Sequence, residues 1–483
     1  MLCVALLIGF CAISPMARAV NPPPDGGYPG FNTAEGQKAL FSLTTGSANT
    51  AVGWFSLGSL TTGSFNTATG AGALLFNTAD ANTAFGAAAL LFNTAGINNT
   101  AVGAAALLNN TIAEENTATG AFALSSNTEG DFNTANGAWA LYFNTIGERN
   151  TASGDSALYQ NTNGNRNTAV GNIALVTNTE GNDNTAIGVG ALRFNTGGQQ
   201  NTATGAQALA SNTTGIVNTA TGYQALLSNM DGTSNTADGV GALQDNTSGG
   251  GNTATGYQAL LHNDSGDYNT ASGLFALGSL TTGSNNTGLG RSAGTSVTTA
   301  DHVICIGDNV SGANVSNSCY IGSIFGQTSS SGAAVFINNS GKLGTSTSSR
   351  RFKEEIKRMD TTSEALFALQ PVTFRYKKEV DPDGIPQFGL VAEDVEKVNP
   401  ALIVRDKEGK PYSVRYDQVN AMLLNEFLKE HRKNERQESK LEEQEAKIAR
   451  QEQQIEALTA GLQKVSAQLE LNKPAPQTVV NDL

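Results

Sequence analysis

Basic residues are almost missing from the first three hundred positions of this 483-residue chain. Between Val20 and Ala300 there are five (Lys38, Arg149, Arg166, Arg193 and Arg291), whereas Ser348 to Leu483 holds 22 of the 29. A segment without a basic stripe has nothing to set against phosphates, which argues against nucleic acid as a partner along it. The net charge is −13, and the basic residues near the C-terminus are interleaved with Asp and Glu as a solvated, mixed-charge surface. Histidine is scarcer still, at His262, His302 and His431 only. No Cys/His spacing suits zinc, so neither a metal site nor a cofactor is expected.

Four cysteines do not make a disulfide framework. Cys3 and Cys11 belong to the N-terminal apolar run. Cys305 and Cys319 lie in strand-like V-I-C-I-G and S-C-Y-I-G, where they can pair or remain as buried thiols. Long apolar runs are absent apart from Leu2 to Ile13, which is followed by Ala17-Arg18-Ala19. That pattern reads as a secretory signal peptide, residues 1–19, and twelve residues are too few to cross a bilayer. The mature chain is expected to be secreted or held at a cell surface without a transmembrane anchor, with a phage particle as the other setting.

What the chain does have is a period. After a Pro/Gly-rich lead-in at 20–31, the frame N-T-A-x-G-x-x-A-L-x-x-N-T-x-G-x-x recurs every seventeen residues, with leading asparagines from Asn32 to Asn269 and a degenerate copy at Asn286. Only the step from Asn66 to Asn82 is one residue short. So short a repeat cannot bury a core alone, and its copies must stack. Two turn signals per copy leave room for two short strands and no useful helix. The fold class that follows is mostly β: a parallel β-roll or solenoid over residues 32–291. Leu124, Leu141, Leu158, Leu175 and Leu192 stack inside with a small Ala beside each, Gly and Asn take the positive-φ corners, and Asn and Thr ladders run up the outside. One thin column of Leu and Ala is a meagre core for a lone chain, which points to side-by-side association. The frame resembles the head repeats of trimeric autotransporter adhesins; that resemblance implies a left-handed parallel β-roll in a three-chain bundle.

Residues 292–347 read as an irregular β neck ending in the small-residue hinge S-G-K-L-G-T-S-T-S-S. From 348 to 431 the pattern is that of a small α/β module. A helical stretch spans 351–369, Val372, Phe374 and Tyr376 alternate as a strand face, and a second strand covers 387–391. A short helix follows at 393–398, then a hairpin from 401–405 to 412–414. Residues 432–473 form a coiled coil: Leu441, Ile448, Ile455, Leu462 and Leu469 recur every seven residues, with Gln444, Gln451, Leu458 and Val465 three places on. A polar tail, 474–483, closes the chain.

At the hinge stands S-S-R-R-F-K-E-E-I (348–356), followed by Q-F-G-L-V-A-E-D-V-E-K-V-N-P (387–400) and Y-D-Q-V (416–419). Three motifs in this order resemble the peptidase S74 family, the C-terminal intramolecular chaperone of phage tailspikes and endosialidases. The resemblance implies a Ser–Lys dyad five residues apart that cuts the chain once the fibre has trimerised, with Ser348 as nucleophile and Lys353 as general base. The family commonly has Asp after its serine. Ser349 stands there instead and is a rival nucleophile. The chemistry is coherent, because a serine needs a base and a lysine serves only when burial favours its neutral amine. The structural alternative is a serine-rich linker beside solvated charges.

The leading expectation is therefore an exported homotrimeric fibre, adhesin-like, facing an unidentified surface or glycan receptor. Its C-terminal module would align three chains and act at most as a single-turnover autoprotease. A permanent, uncleaved trimer clamp is the alternative, and the threonine ranks allow a third function as an ice- or surface-binding face. A sugar-degrading rod would need paired acids, and the acidic residues drift in position between copies.

Overall fold

A computed structural model describes residues 28–472. The expected signal peptide 1–19, residues 20–27 of the lead-in, residue 473 and the tail 474–483 lie outside the described residues. The chain divides into two compact units, Met1–Gln327 and Thr328–Leu483.

In the first unit, eighteen three-residue strands, β1 (Thr33–Glu35) to β18 (Cys319–Ile321), form one parallel sheet. Thr134 lies opposite Thr151 and Ala135 opposite Ala152, and this register repeats along the ladder. Each coil holds one strand rather than two, and turns take up the rest. Seventeen steps at about 4.8 Å make a ladder roughly 80 Å long. Where the repeat is one residue short, Thr67 still pairs with Thr83. The loss is absorbed in the loop before Asn82, whose backbone N–H still donates to Asn66 Oδ1 at 3.0 Å.

Strand pairing does not stop at residue 291. β16 (Thr287–Leu289) pairs with β17 (Ile304–Ile306), and β17 with β18. Two further coils thus occupy part of the segment expected to be an irregular neck. The frame is disguised there because Val303 and Cys305 fill the inward places of Asn and Ala, both fully buried. Val303 N–H still donates to Asn286 Oδ1 at 2.8 Å. Cys305 and Cys319 are both free thiols, the second of them exposed. Burial pushes the Cys305 thiol up, as befits a packing residue.

The leucine column is as expected: Leu124, Leu141, Leu158, Leu175 and Leu192 are fully buried, as is the Ala before each. The asparagine ladders are not. Both run through the interior, fully buried, and they close the core that looked too thin. Asn150 Nδ2 donates to Asn133 Oδ1 at 3.1 Å and to the Gly164 carbonyl at 2.8 Å. Its backbone N–H donates to the same Oδ1 at 2.9 Å. In the second ladder, Asn161 Nδ2 donates to Asn144 Oδ1 at 2.7 Å and to the Gly164 carbonyl at 2.9 Å. An amide both donates and accepts, so one side chain serves the coils on either side of it. Among the described residues no buried side-chain nitrogen or oxygen lacks a partner.

The second ladder runs from Asn77 to Asn263, and Leu60 and Leu280 hold the same position just beyond its two ends. Leucine therefore fits the place, but only where no amide neighbour depends on it. Asn161→Leu would remove the donor to Asn144 Oδ1 and Gly164 and the acceptor for Asn178 Nδ2. At about 1–3 kcal/mol for each group left unpaired, a clear fall in the denaturant midpoint of the rod is expected.

Positive φ belongs to glycine and, unexpectedly, to leucine. Gly154 has φ 138°, and a Cβ there would come within 2.6 Å of the Gly171 carbonyl in the next coil. Leu158 has φ 53° and Ser156 φ 57°. A left-handed non-glycine residue costs roughly 1–2 kcal/mol, which burial of a leucine at about 1.5–3 kcal/mol offsets. The ladder asparagines have no positive φ. Their role is internal hydrogen bonding.

The second unit contains three antiparallel pairs: β19 (Val335–Ile337) with β20 (Leu343–Thr345), β21 (Val372–Phe374) with β22 (Gln387–Gly389), and β23 (Ile403–Arg405) with β24 (Pro411–Val414). Two helices accompany them, α1 (Ala392–Val398) and α2 (Tyr416–Leu471). The helix expected over 351–369 is two 3-10 segments, Arg350–Phe352 and Asp360–Ala368. Glu355, at φ 52°, breaks the run between them, and Asp360, at φ 41°, opens the second. Val395, Leu402, Ile403, Val414 and Met422 form the small core. α2 is one continuous 56-residue helix, and its heptad residues from Leu441 to Leu469 are exposed in the single chain. No described helix is long and apolar enough to cross a membrane.

Candidate functional site

Ser348, Ser349 and Lys353 lie just after the β19–β20 hairpin. That hairpin is tied by Asn338, whose Oδ1 accepts from the backbone N–H groups of Ser340 at 3.1 Å and Lys342 at 2.9 Å, with Gly341 at φ 81° completing the turn. The chain then runs extended to Ser349 (φ −64°, ψ 137°) and makes one 3-10 turn. Phe352 N–H donates to the Ser349 carbonyl at 3.0 Å, and Lys353 N–H to that of Arg350 at 3.1 Å. Both serines and the lysine are thus brought to the two ends of a single exposed turn. Among the described residues, no hydrogen bond joins either serine hydroxyl to Lys353. Arg351 lies over the Phe352 ring at 4.5 Å, and Phe352 and Ile356 face solvent. A neutral lysine base requires desolvation, and this chain alone leaves Lys353 exposed.

In the same unit, the other two motifs meet. The Tyr416 hydroxyl, at the start of α2, accepts the Leu390 N–H at 3.0 Å, which joins Y-D-Q-V to Q-F-G-L-V. The contact is close at Gly389, where a Cβ would lie 2.9 Å from the Tyr416 oxygen and 3.2 Å from the Phe374 ring. At the opposite edge, Arg415 donates to the Leu402 and Ile403 carbonyls at 2.8 and 3.2 Å.

The 3-10 segment Asp360–Ala368 docks on α2 through a polar cluster. Ser363, fully buried, donates to Glu426 Oε1. Asn425 Nδ2 donates to Ser363 Oγ at 2.7 Å and to the Asp360 carbonyl at 3.1 Å, and Lys429 Nζ reaches Glu426 at 2.7 Å. Hydrogen bonds from Lys429 and then Ser363 hold the Glu426 carboxyl below its usual range, and Glu426 raises Lys429. A depressed carboxyl adds stability above its unfolded pKa, about 4.3, and loses it as pH falls through the folded value. Lys429 adds stability below its unfolded value and loses it only as pH rises through the raised one. The docking should therefore hold at neutral pH and weaken in acid. Glu426→Gln should flatten that acid limb in unfolding curves taken from pH 7 down to pH 3.

Sequence reasoning missed an apolar groove of about 590 Å³ in this unit, lined by Leu366, Phe367, Leu369, Phe388, Val419 and Leu423 among others. Its walls come from four separate elements, the 3-10 segment Asp360–Ala368, β21, β22 and α2, which no local pattern brings together. Among the described residues no group of three or more His, Cys, Asp and Glu gathers to hold a metal.

Comparison with known proteins gives one positive finding. No curated protein and no solved structure matches the chain. Residues 348–404 match the model of the family described as Peptidase_S74, chaperone of endosialidase. The matched segment begins at Ser348 and takes in the exposed turn, the β21–β22 pair and α1. After a β-solenoid rod of seventeen-residue coils, residues 348–404 of this chain match the peptidase S74 family model, chaperone of endosialidase.

Proposed function

We propose that the protein is an exported, tail-fibre-like structural protein whose copies assemble as a trimer through the C-terminal unit, leaving the rod to meet a surface or glycan receptor. One observation carries the reading. The C-terminal unit buries five apolar side chains in its core and leaves Phe367, Phe388, Leu423, Leu424 and Phe427 exposed, together with the heptad residues of α2 at 52–70% exposure. So much apolar surface on so small a unit marks an association surface. A chaperone of endosialidase segment beside a rod supports self-association as its use.

Assembly would also supply the burial that Lys353 lacks in the single chain. Lys353 would then take the Ser348 proton as Oγ attacks the carbonyl carbon of the peptide bond to be cut. The proton passes to the leaving amide nitrogen, and water hydrolyses the ester that remains. The exposed and unlinked state of Ser348 and Lys353 also favours a second reading, in which the unit stays attached as a permanent clamp. The mass of the native protein by light scattering tests the assembly: three times the chain mass is expected, and a monomer at micromolar concentration overturns it.

A further inference from the structure

The coils of the rod serve as comparisons for one another, and one patch departs from their frame. Among the described residues the rod has ten ring–ring contacts, and seven of them fall between Phe122 and Tyr159. Phe122 stacks on Trp139 at 4.6 Å, and Tyr142 on Tyr159 at 5.4 Å. Trp139 and Tyr142 lie 5.0 Å apart, and Phe143 meets both tyrosines edge-on at 4.6 and 5.2 Å. The five rings make one continuous patch over three successive coils, about 10 Å along the rod.

Nothing in the fold calls for them. The place of Phe122 and Trp139 is taken by Gly72, Gly190 or Gln224 in other coils, and that of Tyr142 and Tyr159 by Gly58, Ala210 or Gln244. Phe122 and Trp139 both have φ 60°, a conformation in which glycine is at ease and a large side chain is strained. Phe122, Trp139, Tyr142 and Tyr159 are half-buried and Phe143 is exposed. Among the described residues, the Trp139 indole N–H and the Tyr142 and Tyr159 hydroxyls have no hydrogen-bond partner. Such groups find partners when they are covered. The patch therefore presents aromatic faces and unmet polar groups side by side.

Its surroundings narrow the chemistry of an occupant. At the positions that carry the rings, these three coils otherwise hold only Ser125, Ser126, Ser156 and Gln160, so no charge stands among them. Five rings more than half covered leave roughly 300–400 Å² open, about half of what one partner gives to a stable protein interface. Nucleic acid needs phosphate contacts, and only five basic residues lie between Val20 and Ala300. A pyranose with equatorial hydroxyls meets each condition. Its faces are C–H groups that pack on the electron-rich faces of aromatic rings, and its edges both donate and accept hydrogen bonds.

Resting on the proposal that the rod meets a glycan receptor, we infer that Trp139, Tyr142 and Tyr159, flanked by Phe122 and Phe143, form a platform for neutral, β-linked, gluco-configured saccharide chains. Successive sugar rings stack along the rod, and their edges pair with the free tyrosine hydroxyls and indole N–H.

The full-length chain with Trp54→Phe keeps Trp139 as its single indole, so its fluorescence reads the patch directly. Titration with cellohexaose or chitohexaose should shift the Trp139 emission saturably at micromolar to millimolar sugar, whereas oligothymidine should not. Tyr142→Ala with Tyr159→Ala should weaken saccharide binding tenfold or more. The thermal midpoint of the rod should stay close to the parent's, because Gly58 and Ala210 already hold that place in other coils. Calorimetry on the same proteins separates the failures. Saccharide binding that is undiminished in the double variant overturns this platform and leaves the receptor reading standing. Neither heat nor emission shift with both hexasaccharides, or a shift with oligothymidine alone, overturns the platform together with the glycan part of that reading.

Discussion

Ile448→Asp combined with Ile455→Asp is expected to leave the purified protein monomeric. Both isoleucines are exposed in the single chain, at 53% and 62%, and neither belongs to a core cluster among the described residues. Nothing in the fold of one chain depends on them. In an assembly they would sit in successive layers of the helix seam, each worth about 1.5–3 kcal/mol when buried. Removing two per chain and inserting carboxylates in their place subtracts at least about 5 kcal/mol from association, a loss of several thousandfold in affinity. Native mass by light scattering or sedimentation reads the outcome, with the thermal unfolding of the rod as a control that should not move. A variant that keeps the parent's mass would show that the chains meet elsewhere, the groove beside Phe388 and Leu423 being the next surface to examine.

The rod was legible because its period does the work of many sequences. Sixteen copies of one frame separate what must recur from what drifts, so the leucine column and the parallel stacking followed directly. The inner asparagines did not. Asn ordinarily reads as a surface or turn residue, and only a closed coil shows that Asn150 can satisfy the backbone on both sides from within. Once the ladders are inside, the argument that a lone rod is too thin loses its basis. Association must then be argued from the C-terminal unit. The last two coils were hidden for a related reason: Val303 and Cys305 keep the burial and the backbone bonds of the frame while discarding its letters.

Nearer the C-terminus, local pattern succeeded where elements are short and bounded by turn residues, as at α1 and the β23–β24 pair. It failed over 351–369, where an apparent helix is two 3-10 turns broken by Glu355. Residue identities at the candidate site came from the resemblance to the peptidase S74 family. Its geometry did not, because a Ser-x4-Lys spacing fixes neither the turn between the two residues nor what surrounds them. The groove was equally out of reach, being made by side chains from elements joined by the Tyr416–Leu390 contact, the Ser363–Glu426 cluster and the β21–β22 pair.

Loss of the Ser348 hydroxyl should have the largest effect of all. Expression of the intact chain should yield, besides the 49.9 kDa species, a fragment on denaturing gels whose N-terminus lies at or next to Ser348. Ser348→Ala should abolish it, since no other change so directly removes the attacking oxygen, and Lys353→Ala should do the same by removing the base. A general base contributes about a hundred- to ten-thousandfold, enough to move cleavage from hours to beyond any practical incubation. Ser349→Ala separates the rivals: cleavage survives it if Ser348 is the nucleophile and fails if Ser349 is. The monomeric Ile448→Asp, Ile455→Asp variant adds the decisive comparison. In the single chain Lys353 is exposed and unlinked to either serine, so a chain that cannot assemble should not cut itself even with both residues intact. Cleavage in that monomer would mean that the exposed turn is competent by itself, and assembly would have no part in switching it on. A single intact band in the assembled parent would instead make the C-terminal unit a permanent clamp, with Ser348 and Lys353 as ordinary residues of a hinge.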